Sequence, residues 1–326
     1  MAARKIFVTL RIAAPALARL AAVAQVDLWN GEASPPHDEL LRRIADADGI
    51  LSLLADRLDA ATIAAAPSLS VISNYAVGFD NIDLRAATER GIAVGHTPGV
   101  LTETTADLAF ALLMAAARRV AEGDRYVREG RWRTWGPEIL LGRDLFGATL
   151  GIIGFGAIGQ AMARRGAGFK MRVLYATRSL NEGVAAQRVG LEELLRESDF
   201  VSIHVPLTAE TRRMLGAREF AIMKPGAIVI NTSRGAVIDQ KALAASIRSG
   251  HLGGAGLDVT DPEPIDPGDL LLELPNVVIT PHIGSASHAT RLKMAEMAVD
   301  NILDVFAGRL PHFCANPEVE LRRISE

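Results

Sequence analysis

The sequence predicts an α/β fold with parallel sheets arranged in two bodies, and three observations carry this. Short β-rich runs alternate with helical patterns along nearly the whole chain, as they do in successive βα units. A glycine-rich loop, Gly154-Phe155-Gly156-Ala157-Ile158-Gly159, stands between an apolar run and a helical pattern. The chain has 326 residues, more than the roughly 250–300 that one hydrophobic core organises.

In order, the first hundred residues read as strand Lys5–Leu10, helix Pro15–Ala24, strand Val26–Trp29, helix His37–Ala47 and strand Gly49–Leu54. Strand Ser70–Tyr75, helix Ile82–Arg90 with Gly91 as its stop, and strand Ile92–Gly95 complete a small parallel unit. After Pro98-Gly99, a helix over about Thr102–Val120 is apolar nearly all round, which fits burial between two bodies. From Glu122 to Phe146 the periodicity lapses and four glycines accompany Trp132 and Trp135, so an irregular arm or loop is expected.

The alternation resumes with strand Ala148–Ile153, helix Ile158–Arg165, strand Met171–Ala176, helix Leu191–Arg196 and strand Phe200–Val205. It continues through strand Ala227–Asn231, helix Gln240–Ser249 and strands Ala255–Val259 and Val277–Thr280. A last helical pattern covers about Ala286–Ala307.

Composition excludes several classes of function. Apolar residues are 49% and charged residues 22%, which gives disordered or fibrous readings no support. Lys and Arg total 35 against 38 Asp and Glu, a net charge of −3, so no field exists for gripping nucleic acid or an anionic membrane. The single Cys314 excludes an intrachain disulfide and a cysteine-based metal site, so no metal is expected and a reducing, cytoplasmic setting is the default. Arg11 and Arg19 interrupt the N-terminal apolar stretch before a signal-peptide core builds up. The longest apolar run, Leu108–Ala117, is about half of the roughly 20 residues a membrane span needs.

The glycine loop follows the apolar strand Leu150–Ile153 and opens a helix, and that context points to dinucleotide binding. Gly154 permits the tight turn, Gly156 lets backbone approach a pyrophosphate, and Gly159 allows close helix packing. A purely structural turn is the alternative. Where an acid would hold a ribose 2′-OH, about 20 residues past the loop, the chain has Thr177-Arg178-Ser179 instead. A hydroxyl followed by a guanidinium suits a 2′-phosphate, so NADP(H) is expected in preference to NAD(H). The competing reading makes Arg178 a solvated surface charge on an enzyme indifferent between the two cofactors.

Reduction of a carbonyl needs an acid for the new alkoxide and a cation for the substrate. Arg234 follows one buried strand, Asp258 ends another with Glu263 just beyond, and His282 follows the last. Ligands of open parallel sheets gather outside the carboxyl ends of strands, so Arg234, Glu263 and His282 are expected to face one crevice. His37, His96, His204, His251, His288 and His312 lack this placement together with a Pro and a Gly, and are assigned structural roles.

With these residues in place, the chain resembles the D-isomer-specific 2-hydroxyacid dehydrogenases, and within them the glyoxylate/hydroxypyruvate reductases. The resemblance runs from Val77-Gly78-Phe79-Asp80-Asn81-Ile82-Asp83 and Thr97-Pro98-Gly99-Val100-Leu101-Thr102-Glu103-Thr104-Thr105-Ala106-Asp107, through the glycine loop, to Gly256-Leu257-Asp258-Val259. It implies a Rossmann doubly wound sheet, over 101–286, inserted into a smaller flavodoxin-like substrate domain made of 1–100 and 287–326. The active site would lie in a cleft between them, with domain closure excluding water. The reaction it implies is NADPH-dependent reduction of glyoxylate, hydroxypyruvate or another small 2-oxo acid to the D-2-hydroxy acid.

The resemblance also implies roles. Arg234 would bind the substrate carboxylate and carbonyl oxygen, His282 would donate the proton, and Glu263 would hydrogen-bond His282 and keep it protonated. Backbone amides at Val77 and Gly78 would take the other carboxylate oxygen. Cofactor contacts would come from Gly154, Gly156, Ala157, Ile158 and Gly159, from Thr177, Arg178 and Ser179, and from Pro206 and Thr211. Thr232, Ser233, Asp258, Gly284, Ser285 and Thr105 would complete them, with Asp258 at the nicotinamide carboxamide.

Segment 122–146 is similar to the family's dimerisation arm, which implies a homodimer in which Trp135 reaches the partner's active site and limits substrate size. Two departures stand out: Ala157 replaces the arginine of many relatives, and Thr177-Arg178 replaces the acid of NAD-dependent members. Glu263, where an amide would stand, argues against the formate dehydrogenase branch. The alternatives are an NAD-linked dehydrogenase of another D-2-hydroxy acid and a non-catalytic, cofactor-sensing regulator.

Overall fold

Two parallel sheets organise the molecule, a computed structural model that describes residues 4–178 and 185–321. By its internal contacts the chain divides into two units, Met1–Leu101 with Ala286–Glu326, and Thr102–Ser285. In the first, strands β1 (Lys5–Val8), β2 (Gln25–Leu28), β3 (Gly49–Ser52), β4 (Val71–Asn74) and β5 (Ala93–Gly95) lie in the order β2-β1-β3-β4-β5. All neighbours are parallel, and this is the flavodoxin-like order. The central strands β3 and β4 are buried at every residue, because helices cover both faces of a parallel sheet. Phe7, Ile50, Leu58, Ile63, Ile72 and Val94 belong to the core on one side.

The chain returns to this unit at its end. Helix His288–Phe306 packs on β3, β4, β5 and helix Ala14–Ala21, and its Ala298 carbonyl accepts from Ser73 Oγ at 2.7 Å. Beyond it, Asn316 accepts from Val94 N at 2.8 Å and donates to Ile92 O at 3.0 Å. A buried amide side chain thus satisfies backbone groups of the edge strand β5 that no further strand covers.

The second unit holds β6 (Thr149–Ile153), β7 (Arg172–Ala176), β8 (Gln187–Arg188), β9 (Phe200–Ile203), β10 (Ile228–Asn231), β11 (Gly254–Leu257) and β12 (Val277–Ile279). Their order is β12-β11-β10-β9-β6-β7-β8. The chain steps outward from β6 to β8, then crosses back to β9 and runs to the other edge, which is the Rossmann arrangement. Its switch point lies between β6 and β9. Helix Thr102–Ala117 packs on helix Ala157–Gly168 and on β10, β11 and β12.

One expectation needs correction. A helix over Val120–Arg128 runs into the segment expected to be irregular from Glu122. None of its residues is buried, so no core-facing stripe marks it in the sequence, and Gly123 in its middle masks it further. Ion pairs Arg119–Glu122 and Arg128–Asp124, each at 2.8 Å, hold successive turns instead. The rest of the segment is irregular and exposes Trp132 at 62% and Trp135 at 80%, together with Leu141 and Phe146. Helices Ala60–Ala64 and Ala217–Ile222 and the two-residue β8 also lie outside the sequence reading. Among the described residues no helix is long and apolar enough to cross a membrane.

Candidate active site

The site is built at the carboxyl ends of the second sheet. Gly154 leaves β6 with φ +90°, and a Cβ there would press on the backbone carbonyl of His204. Gly159 lies against the carbonyl oxygen of Gly154, so the helix Ala157–Gly168 starts directly on the loop. At Gly156, the N-cap, a Cβ would meet nothing within 4 Å, and no side chain caps the helix. Open space in front of uncapped N–H groups at the positive end of a 12-residue helix suits a pyrophosphate. Phe155 stacks on Tyr175 at 3.9 Å and fixes the loop against β7.

Thr177 and Arg178 follow β7 directly, and neither they nor Ala176 is acidic. Ser179 lies outside the described residues. After β9, Thr211 Oγ1 donates to Pro206 O at 2.7 Å and accepts from Thr208 N at 2.8 Å, which closes a rigid turn. Glu210 in that turn accepts from Thr208 Oγ1 at 2.6 Å. That bond, and more weakly the Arg178 charge, holds its carboxyl below the usual range.

Asn231, the fully buried last residue of β10, clamps the turn that follows. Its Nδ2 donates to Arg234 O at 2.9 Å and its Oδ1 accepts from Ser233 N and Oγ at 3.0 and 2.8 Å. Such local side-chain bonds replace the ladder that ends with the strand. Arg234 is half-buried and donates from Nη1 to Ser233 O at 2.9 Å. Thr232 Oγ1 is buried and has no hydrogen-bond partner among the described residues, which suits contact with a ligand.

Asp258, only 2% exposed, organises the neighbouring loop. Its carboxylate accepts from Thr280 Oγ1 at 2.6 Å, Ile283 N at 2.8 Å and Gly284 N at 2.7 Å, while its carbonyl accepts from His282 N at 3.0 Å. These bonds hold His282 in the left-handed region, φ 53°, which is uncommon outside glycine, though histidine adopts it more readily than most residues. Thr105, on helix Thr102–Ala117, packs beside Gly284, and Ser285 follows. His282 Nδ1 lies 2.5 Å from Glu263 Oε1, with the side chains 25% and 35% exposed. The carboxylate takes the Nδ1 proton's hydrogen bond, so Nε2 is the nitrogen left for chemistry.

The glycine loop, Thr177, Arg178, Pro206, Thr211, Thr232, Ser233, Arg234, Asp258, Glu263, His282 and Gly284 thus all follow strands at the carboxyl end of one sheet, spread from β7 to β12. Val77 and Gly78 belong to the first unit, just past β4. There His96 Nδ1 lies 2.8 Å from Val77 O, and Asn74 Nδ2 donates to Gly78 O at 2.9 Å, so both carbonyls are tied. His96, which the sequence left among the structural histidines, thus braces this loop, and nothing in its local sequence signals that contact. Trp135 sits apart, exposed on the irregular segment.

Comparison with known proteins shows the family. Residues 110–284 match the family model for the D-isomer specific 2-hydroxyacid dehydrogenase, NAD binding domain. The chain belongs to the D-isomer-specific 2-hydroxyacid dehydrogenases. It is 52% identical over 320 residues to the glyoxylate reductase of Korarchaeum cryptofilum, covering 97% of this chain and 96% of that one. The crystal structure of the TT0316 protein from Thermus thermophilus superposes with a TM-score of 0.91 at 52% identity, over 95% of this chain and 99% of the other. The NADPH-dependent glyoxylate/hydroxypyruvate reductase of Sinorhizobium meliloti, in complex with NADP and malonate, gives 0.89 at 32% identity over 100% of both chains.

Proposed function

We propose that the protein reduces small 2-oxo acids, glyoxylate and hydroxypyruvate foremost, to D-2-hydroxy acids with NADPH in preference to NADH. The observation that carries this is the 2.5 Å pair of His282 and Glu263, at the sheet end that also holds Arg234 and an uncapped glycine-loop helix. The relatives named glyoxylate reductases, and the Sinorhizobium enzyme seen with NADP and malonate, support the substrate class and the cofactor.

When bound, NADPH supplies the hydride for the carbonyl carbon. Arg234 holds the substrate carboxylate and draws electron density onto the carbonyl oxygen, where charge develops. Backbone amides at Val77 and Gly78 take the other carboxylate oxygen. His282 delivers a proton from Nε2 to the nascent alkoxide, and Glu263 keeps the ring in the orientation that presents it. Asp258 positions the His282 backbone through the bonds described above, and Thr232 Oγ1 is a free contact for the cofactor. Trp132, Trp135, Leu141 and Phe146 are exposed large apolar side chains on one segment, which suits it to cover a second copy of the chain, and Trp135 would narrow that copy's site.

Initial rates with NADPH and NADH against glyoxylate, hydroxypyruvate, pyruvate and phenylpyruvate test the proposal. The expected ranking puts glyoxylate and hydroxypyruvate first and NADPH above NADH, with Trp135→Ala raising phenylpyruvate relative to glyoxylate. A clear NADH preference overturns the cofactor assignment, and an unchanged ranking in Trp135→Ala removes that residue from substrate selection.

A further inference from the structure

We propose that Arg188, on the edge strand β8, is a second cation for the 2′-phosphate of the cofactor's adenosine, acting beside Arg178. This rests on the NADPH reading above and deepens it. In the parallel register of β7 and β8, Arg188 stands opposite Tyr175. Its Nη2 donates at 3.0 Å to the carbonyl of Thr177, two residues further along. At a rise of about 3.3 Å per residue, the side chain runs along the strand toward its carboxyl end and delivers its guanidinium there. That end of the second strand of a Rossmann unit is where the ribose 2′ substituent is read.

Two features separate Arg188 from an ordinary solvated arginine. Among the described residues the carbonyl of Thr177 takes one of the five N–H donors of Arg188, and that contact orients the guanidinium fork at the strand end, where a phosphate oxygen can be met. Arg178, in contrast, shares its field with Glu210, an ionised carboxylate whose acidity the Arg178 charge helps to raise. The Glu210 charge offsets part of the Arg178 attraction for a dianionic phosphate. Arg188 adds a second positive charge, and its contact with the Thr177 carbonyl places it at the end of β7, where neither Thr177 nor Arg178 is acidic. The sequence signal for Arg188 is absent, since it lies ten positions after Arg178 and only the pairing of β7 with β8 brings it back.

The test titrates 2′,5′-ADP and 5′-ADP into the full chain by calorimetry, for the natural protein and for Arg188→Gln, with kcat/KM for NADPH and NADH as a second readout. Glutamine keeps a donor for the Thr177 carbonyl and removes the charge. The natural protein is expected to favour 2′,5′-ADP, and Arg188→Gln to lose about tenfold of that affinity while 5′-ADP binding stays within about twofold. If the natural protein favours 2′,5′-ADP and Arg188→Gln keeps that preference, the Arg188 assignment falls and the NADPH reading stands. An equal loss for both nucleotides also overturns the assignment, because it marks Arg188 as a strand-end cap. No preference in the natural protein overturns both.

Discussion

His204 follows β9 by one residue, with Nε2 2.8 Å from Ser202 Oγ. Burial pushes its pKa from 6.5 down to about 4, so the ring beside the glycine loop is neutral at physiological pH. Because the folded-state value lies below the unfolded one, the unfolded chain takes up a proton first as pH falls. This contribution to stability is complete above about pH 6.5, and it is lost as pH drops toward 4. The expected loss is up to about 3 kcal/mol. Urea unfolding of His204→Gln should show a flatter pH dependence than the natural protein between these limits, and parallel curves would refute the assignment.

At this scale the placement of Arg234, Glu263 and His282 at one end of the second sheet was legible, because each follows one of its strands and the strands of a parallel sheet share one carboxyl end. Their supports were not. Asn231 and Asp258 look in sequence like the polar residues that end any strand, and only three-dimensional contacts show them clamping the Arg234 turn and the His282 backbone.

Among the elements, the glycine loop shows which local rules survive folding. A Cβ at Gly159 would collide with the carbonyl oxygen of Gly154, and backbone on both sides cannot yield as a flexible side chain would. Gly159→Ala should therefore cost about 1–3 kcal/mol in chemical unfolding and weaken NADPH binding, since the helix start must retreat from the loop. An unchanged unfolding midpoint would mean the loop relaxes freely. The helix Val120–Arg128 marks the opposite case. Sequence periodicity reports a helix by the face it buries, and this one buries none, so its ion pairs could not be told from the scattered charges of a loop. Strand β8 was invisible because two residues are too few for any alternation to register.

For the whole molecule, alternation of strand and helix was enough to fix two parallel sheets, since each βα unit must bury its strand on both faces. It could not fix strand order, which depends on where the chain reverses, at β1 and β3 in one sheet and at β6 and β9 in the other. The order matters for function, because the reversal opens the space at which the glycine loop and the β9 turn face a ligand. The near-neutral charge of −3 leaves recognition to local groups, which in the proposed reading are Arg234, Arg178 and Arg188. The central claim is that His282, aimed by Glu263, is the proton donor in the reduction of a small 2-oxo acid. Its most direct test is the turnover of glyoxylate with NADPH by His282→Ala beside the natural protein, with NADPH affinity measured in parallel. A fall of about 10²–10⁴-fold in kcat with NADPH binding retained is the predicted result, and near-normal turnover would contradict it.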